Sequence, residues 1–495
     1  MDVTKALFQS YFWLIFGKWS VRLLGIISTL ILVRILTPVD FGIAAQSMMV
    51  IMFFDAISHT GADQYVIKLN LPSNSQINTA WSINIALKSS AALFVLLFSN
   101  IIANYLGEPK LTDVLRVACL VSIFGSFISP KIILLKKNLN FKGISTLDIF
   151  VKIISFIVTI SLAVTFKNYW ALILGNVVST IVLVMGSYVI APFYPKFTFS
   201  QVKEQFHFSK NIFFMTVLGY LRSKIDILIV SQKFGSASTG YYSLAQEFSL
   251  LPYTEVVEPV SQPLYASLAK NGDNIALQTL QINKYLSIVY TLLVPAICGI
   301  ILLADDIVAI VFGEQWHKTG PILANLSILM LVFSTNGAFK HIFTLSSRFK
   351  GAMLLDVFGI VLILLALGID NIDSAELFSQ YRVLVGVLIY ILSLSIVKLL
   401  LKVDIRATLI AMIVPVISAA VMVGCLLILK SELLQLHNIL ANIIMMTFVG
   451  LIIYSGIWLF CIYYLRESHL IWAFDYALLK RGLVVITKKF NEITP

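Results

Sequence analysis

The sequence predicts an all-α integral membrane protein with about 14 transmembrane helices. Of its 495 residues, 59% are hydrophobic and only 12% are charged, which is about half the charged fraction of a soluble domain. Apolar runs of about 20 residues, long enough to cross the hydrocarbon core as helices, recur along the chain. Together these features exclude an ordinary soluble enzyme, a disordered protein and a secreted disulfide scaffold.

The apolar runs define the predicted helices in order, one to fourteen. They span residues 11–36, 41–62, 81–106, 113–135, 145–166, 169–191, 208–232, 241–265, 284–304, 320–346, 351–370, 382–402, 406–430 and 438–465. The connecting loops are short, so we expect no extramembranous catalytic domain. The N-terminus lacks the features of a cleaved signal peptide, so we expect the first run to be retained as a helix.

The loop charges predict the orientation. Lysines and arginines are concentrated in every second loop, and these basic loops face inside when the N-terminus is inside. The net charge of +11 therefore reflects membrane topology, and nucleic acid is not an expected partner. We predict that both termini lie on the cytoplasmic side, with the basic tail at the membrane surface.

Two internal matches predict a repeated six-helix unit. FKGISTLDIF at 141–150 and FKGAMLLDVF at 349–358 share six residues in register. A weaker match at an offset of 198 relates helix one to helix seven. It pairs Leu23 with Leu221, Ile27 with Ile225, Leu30 with Leu228, Ile31 with Ile229 and Gly42 with Gly240. An even number of helices preserves orientation, so we predict two six-helix lobes related by a pseudo-twofold axis along the membrane normal, plus two C-terminal helices. The predicted organisation is an N-lobe at 1–191, a cytoplasmic linker at 192–207, a C-lobe at 208–402, helices thirteen and fourteen at 403–465, and a cytoplasmic tail at 466–495.

Charges inside helices are the informative residues, because each is costly in lipid and must face protein, water or substrate. Lys18 and Arg22 stand four residues apart on one face of helix one, with no acid three or four residues from either. They predict a cationic substrate site in a central cavity. The structural alternative is a cross-helix ion pair with Asp55 or Glu255, or snorkelling to the inside surface.

Further cations lie in other helices. In helix seven, Arg222 and Asp226 are four residues apart and can pair, which leaves Lys224 as the candidate ligand. Lys88 and Lys340 lack acids close in sequence, and each is a candidate cavity-lining residue.

Acidic residues and one histidine are candidates for ion pairing or proton coupling. Asp55, His59 and Asp63 share part of one face of helix two, where pairing is the favoured interpretation. Glu255 lies in helix eight with Pro252, Pro259 and Pro263, and these prolines predict a kink.

Enzyme and metal-site motifs are not found. The chain has no phosphate-binding loop, nucleophile elbow, zinc-protease motif or CxxC pair. The four cysteines lie in apolar segments without paired spacing, which indicates packing. We therefore expect no catalytic residue, no metal and no cofactor.

Four segments carry a recognisable sequence pattern: LILVRILTPVDFGIAAQ (30–46), TAWSINIAL (79–87), LLKKNLNFKGISTLDI (134–149) and VFGEQWHKTGPIL (311–323). They resemble the polysaccharide transport family of the multidrug/oligosaccharidyl-lipid/polysaccharide superfamily, and most closely its Wzx-type flippases of the colanic-acid and O-antigen group. The resemblance covers helices one to ten. The family pattern of a lysine in helix one and a charge in helix seven matches Lys18 and Lys224, whereas Arg22 rests on the chemical argument alone.

The resemblance implies a function in the bacterial cytoplasmic (inner) membrane. A two-lobed, alternating-access flippase would move an undecaprenyl-pyrophosphate-linked oligosaccharide to the periplasmic leaflet for O-antigen, capsule or exopolysaccharide synthesis. Its partners would be that lipid-linked oligosaccharide and membrane lipids, with polysaccharide polymerase and chain-length machinery as candidates. The alternatives are a peptidoglycan lipid-precursor flippase, a cation-coupled multidrug antiporter of the same superfamily and, disfavoured by loop length, a membrane glycosyl polymerase or ligase.

Overall fold

The computed structural model describes residues 3–464 except 60, 70, 260, 262–263, 265–267, 269–274, 346–348, 370, 402–404 and 433–438. Side chains are described for the same residues except 3–11, 63, 206–212, 215, 275–276, 342, 344–345, 349–350, 352, 400–401, 405–407 and 431–432. Asp63's side chain and the predicted tail at 466–495 therefore lie outside the described residues.

Helix is the only regular structure in the described part of the chain. A first compact unit comprises residues 1–243 with 364–375, and a second comprises 244–363 with 376–495. The helices of the first unit are α1 (Val3–Ile35), α2 (Pro38–Ser58), α3 (Ala62–Lys68), α4 (Asn74–Tyr105), α5 (Leu111–Ser126), α6 (Ile132–Lys137), α7 (Phe141–Phe166), α8 (Trp170–Ile190) and most of α9 (Val202–Ser249). In this unit α7 packs against α1 and α8, while α5 packs against α2, α4 and α8.

Capping residues fix where α2 begins. Thr37 and Asp40 form a capping box, and Pro38 occupies the first turn, where its missing N–H costs nothing. The second carboxylate oxygen of Asp40 accepts a hydrogen bond from the Tyr169 N–H at 3.0 Å. This buried carboxylate thereby joins the start of α2 to the start of α8.

The chain departs from regular α-helix once within α9 and once just after it. Gly235 has φ 77° and ψ −177°, a backbone conformation open almost exclusively to glycine, and it divides α9 into two helical segments. Beyond the end of α9, Pro252 precedes a π-helical turn at Tyr253–Val257. The predicted helix eight thus has a local widening in the region where its prolines predict a kink.

The second unit is built on one long helix. It contains α10 (Ile275–Val311), α11 (Thr319–Ser327), α12 (Leu329–Leu345), α13 (Phe349–Leu364), α14 (Ala375–Leu401), α15 (Ile405–Glu432) and α16 (Ile439–Tyr464). Both α15 and α16 pack on α10, and the Tyr454 hydroxyl donates to the Thr291 carbonyl oxygen at 2.8 Å. Only 17% of the residues in the most apolar stretch of α16 are buried, as expected for a helix that faces lipid.

Ten helices of the described chain are long and apolar enough to cross a membrane. The all-α membrane class is confirmed, because these ten correspond to predicted helices one to three, five, six, nine, ten and twelve to fourteen. The described residues of predicted helices four, seven, eight and eleven are mostly helical, but none of these four is among the ten spans. The count of fourteen and the lobe boundaries stay predictions.

Candidate functional site

The first candidate cations lie on α1 beside the face that packs on α7. A Cβ built on Gly17 would lie 2.6 Å from the Ser145 Cβ of α7, so the two helices are in close contact at this glycine. Lys18, the next residue, is exposed, and Arg22 is half-buried one turn further along. The two cations therefore share one side of α1, as their spacing predicts.

An ion pair joins α2 to α4. Lys88 Nζ lies 3.8 Å from Asp55 Oδ1, with the side chains 20% and 31% exposed. The Ser122 hydroxyl of α5 donates a hydrogen bond to the same carboxylate oxygen. Lys88, which has no acid near it in sequence, is thus supplied with one by packing. Asp55 therefore contacts Lys88 and Ser122. The alternative prediction, an ion pair between Asp55 and Lys18, is not what the structure shows.

His59 lies at the C-terminal end of α2. Its half-buried ring places Nε2 3.4 Å from Gln64 Nε2. The structure therefore separates His59 from the Asp55–Lys88 pair by one turn of helix.

The charges of α9 differ in burial. Asp226 is 1% exposed, whereas Arg222 and Lys224 are half-buried. Further towards the N-terminus, the Tyr220 hydroxyl donates to the carbonyl oxygen of Met49 in α2. This bond places α9 against α2 one to two turns from Asp55, so the charged segment of α9 lies in the same unit as the cations of α1 and α4.

Two predicted residues belong to the second unit. Lys340 is half-buried in α12. Glu255 lies in the π-helical turn, where its Oε1 accepts a hydrogen bond from the Thr254 hydroxyl at 3.1 Å.

A tyrosine near the predicted cytoplasmic side links α3 to α9. The Tyr65 hydroxyl donates to Glu204 at 3.1 Å. Burial, followed by the hydrogen bond and negative charge of Glu204, raises the pKa of Tyr65 above its usual value. Tyr65 is therefore a neutral donor at physiological pH.

Sequence analysis missed a buried polar network between α2 and α9. The Gln46 amide donates to the Ser231 hydroxyl at 2.6 Å, and both residues are 0% exposed. The Ser236 hydroxyl donates to Glu108 Oε2 at 2.8 Å, with Gln46 Oε1 at 3.2 Å. The sequence signal for this network was Gln46, a glutamine in an apolar helix. Considering only charged residues overlooks such a side chain.

Metal-ligating residues do not cluster in the described part of the chain, and its four cysteines are free thiols. In the first unit the candidate positions comprise four cations, three carboxylates and one histidine: Lys18, Arg22, Lys88 and Lys224, then Asp55, Asp63 and Asp226, then His59. This excess of cations suits an anionic ligand.

Comparison with known proteins decides the family. The family described as "Polysaccharide biosynthesis protein" matches residues 31–321, more than half of the chain. The chain belongs to this family. The polysaccharide-transport resemblance that its motifs indicate is thereby confirmed.

Individual members and neighbours agree. This polysaccharide biosynthesis protein is 23% identical over 356 residues to the lipopolysaccharide biosynthesis protein WzxC of Escherichia coli, a match that spans 69% of this chain and 72% of WzxC. It is 22% identical over 326 residues to the succinoglycan biosynthesis transport protein ExoT of Rhizobium meliloti, spanning 66% of each.

The fold is similar to a solved flippase structure. The lipid II flippase MurJ in an inward closed conformation superposes with a TM-score of 0.75 at 14% identity, covering 91% of this chain and 98% of MurJ. The likeness to MurJ shows the fold. The relatives confirm the expectation that this family member belongs to the transport class and is not an enzyme.

Proposed function

We propose that the protein is a flippase that moves an undecaprenyl-pyrophosphate-linked oligosaccharide across the bacterial cytoplasmic membrane. The product would feed synthesis of a surface polysaccharide, either O-antigen, capsule or exopolysaccharide. The observation that carries the proposal is the excess of cations on α1, α4 and α9 within one unit of a polysaccharide biosynthesis family member. Lys18, Arg22 and Lys224 bind the pyrophosphate, with Lys88 and Lys340 as further cavity cations.

Physical chemistry supports a cationic path. An isolated phosphate charge in hydrocarbon costs tens of kcal/mol in the Born limit. Ammonium and guanidinium groups in a hydrated cavity replace the water around that charge, while the polyprenyl tail remains in lipid. The apolar surface of α16 offers the tail a path without charges, since no Asp, Glu, Lys or Arg occurs between Ile439 and Tyr464.

Alternating access provides the movement. Two lobes of six helices, related by a pseudo-twofold axis, expose the cavity first to the cytoplasm and then to the periplasm. Both termini face the cytoplasm in this arrangement. Asp55 and Asp226 serve as ion-pair partners of the cations, and His59, Asp63 and Glu255 remain candidates for pairing or coupling.

A peptidoglycan lipid-precursor flippase is the second candidate, and the TM-score of 0.75 with MurJ favours it at the level of fold. Both substrates carry a polyprenyl pyrophosphate, so the same cations would serve either one. Complementation separates them. The first proposal expects rescue of a strain lacking its surface-polysaccharide flippase, whereas the second expects rescue of a strain depleted of MurJ.

The test of the cationic site uses α1. Replacing both Lys18 and Arg22 by alanine should abolish movement of the lipid-linked repeat while membrane abundance stays near wild type. Lys18→Arg should retain partial transport because it keeps the charge, and Lys18→Glu should be inactive. The measurement is the lipid-linked repeat that accumulates on the cytoplasmic side, normalised to protein level.

The matched control is Lys196→Ala, which removes one positive charge from an exposed residue of the predicted linker. It should transport like wild type. Full transport by the Lys18→Ala, Arg22→Ala variant would exclude the cationic site. A loss of abundance that a second, acid-neutralising substitution restores would instead assign Lys18 to a structural ion pair.

A further inference from the structure

Two glycines allow α2 and α9 to cross at backbone contact. A Cβ built on Gly42 would lie 1.7 Å from the carbonyl oxygen of Ser236, and one built on Gly240 would lie 1.9 Å from that of Pro38. Both distances are far below van der Waals contact, and the atoms met are backbone atoms that no rotamer change can move. Neither position can accept a larger residue while the helices stay together.

The contact is reciprocal. Gly42 lies four residues after Pro38, and Gly240 lies four residues after Ser236. Both pairs are related by the offset of 198 at which helix one matches helix seven in the sequence. Gly42 of α2 contacts Ser236 of α9, and Gly240 of α9 contacts Pro38 of α2. Because Pro38 and Ser236 are equivalent positions of the two repeats, this reciprocal arrangement is the pattern of a contact across a twofold axis.

Polar bonds beside the crossing tie α9 to two loops. Ser236 bonds to Glu108 of the α4–α5 loop at 2.8 Å. Lys233 Nζ donates to the carbonyl oxygens of Ala366 and Ile369, at 3.1 Å and 3.0 Å, in the α13–α14 loop. Four connections lie near the crossing: these two loops, the α1–α2 turn and the break at Gly235. The charge pattern of the sequence assigns all four to the outside face.

We propose that the Gly42–Gly240 crossing is the outer gate of the transporter. In the closed state the glycines bring α2 and α9 into backbone contact, and the bonds of Glu108 and Lys233 hold the surrounding loops. Release to the outside requires the two helices to part. The inference deepens the proposed function, because it supplies the outer closure that alternating access needs.

The test measures outside access with a buried reporter. Ser231 is 0% exposed and bonds to Gln46 one to two turns from the crossing, so Ser231→Cys in a background with the four native cysteines replaced should be protected from a membrane-impermeant maleimide in intact cells. Adding Gly42→Ala or Gly240→Ala should raise its labelling rate by at least about tenfold, because the closed state becomes sterically inaccessible.

The matched control is Gly219→Ala, on the same helix α9. A Cβ there meets nothing within 4 Å, so its labelling rate should equal that of the parent. Equal labelling in all three glycine variants would overturn the gate.

A second variant tests the gate even if the glycine variants fail to insert into the membrane. Glu108→Ala adds no bulk and removes the bond to Ser236, so reporter labelling should rise by about threefold. An unchanged rate in a normally inserted Glu108→Ala protein would overturn the gate. Labelling needs no lipid-linked substrate, so a wild type that fails to move the oligosaccharide refutes the proposed function and leaves this result standing.

Discussion

The Asp55–Lys88 ion pair should contribute measurably to the stability of the first unit. At 3.8 Å the Coulomb attraction is about 1 kcal/mol in bulk water and about 4 kcal/mol at an effective dielectric constant of about 20. The side chains are only 20% and 31% exposed, so a value between these limits, about 2 kcal/mol, is expected. That energy corresponds to about a 30-fold change in the ratio of unfolded to folded protein.

A double-mutant cycle isolates the pair. Lys88→Met removes the ammonium group and leaves the Asp55 carboxylate with the Ser122 hydroxyl as its remaining partner. Asp55→Asn in the same protein removes the orphaned charge, so the double variant should be more stable than Lys88→Met alone. The coupling energy, rather than either single effect, measures the interaction.

The protein provides its own probe for this measurement. Cys119 is 0% exposed in α5, one turn from Ser122, and its thiol is free. With Cys298, Cys425 and Cys461 replaced by alanine, a thiol-reactive dye reports unfolding of this helix in detergent. Additive effects of Lys88→Met and Asp55→Asn, with a coupling near zero, would refute the ion pair.

Three further predictions concern topology, coupling and packing. Single cysteines at Lys203 and Asp373 should behave oppositely in intact cells, with only Asp373→Cys labelled by an impermeant reagent; reversed labelling would invert the orientation. Transport in vesicles should ignore proton and sodium gradients, since downhill movement needs no ion, and a gradient dependence lost in Asp226→Asn would instead assign coupling. Gly175→Ala would place a Cβ 2.1 Å from Thr159 Oγ1, so it should destabilise the α7–α8 contact by about 1–3 kcal/mol. Thr159→Ala should recover part of that loss in a thermal melt, and no recovery would contradict this packing.

The apolar runs were sufficient to predict the membrane class because lipid imposes one simple requirement, a helix of about 20 apolar residues. Two of the four differences follow from what hydropathy leaves undetermined. Predicted helix four is the 16-residue α5 followed by the short α6, and helix eleven ends in a 3-10 turn at Leu365–Gly368. Hydropathy cannot distinguish one continuous helix from two shorter ones, because both bury the same side chains.

Charged candidates were predictable as a set but not as pairs. Burial cost identifies Lys88 and Asp55 individually, yet their partnership depends on how α2 packs against α4. Sequence spacing gives only contacts within one helix, such as Arg222 with Asp226. Neither burial cost nor sequence spacing predicts the hydrogen bond between Gln46 and Ser231. Both side chains are uncharged, and an amide and a hydroxyl hardly alter the hydropathy of the helices that carry them.

The two sequence repeats differ in what they specify. FKGISTLDIF begins α7 at Phe141, and FKGAMLLDVF lies in α13, which is described from Phe349. Leucine matches between helices one and seven carry little information, because any apolar helices supply them. The Gly42–Gly240 pair is different, since a backbone crossing requires glycine on both sides, and a contact across a twofold axis requires both at one repeat offset. Within that weak match, the glycine pair is therefore the element that a repeated, gated fold would constrain most strongly.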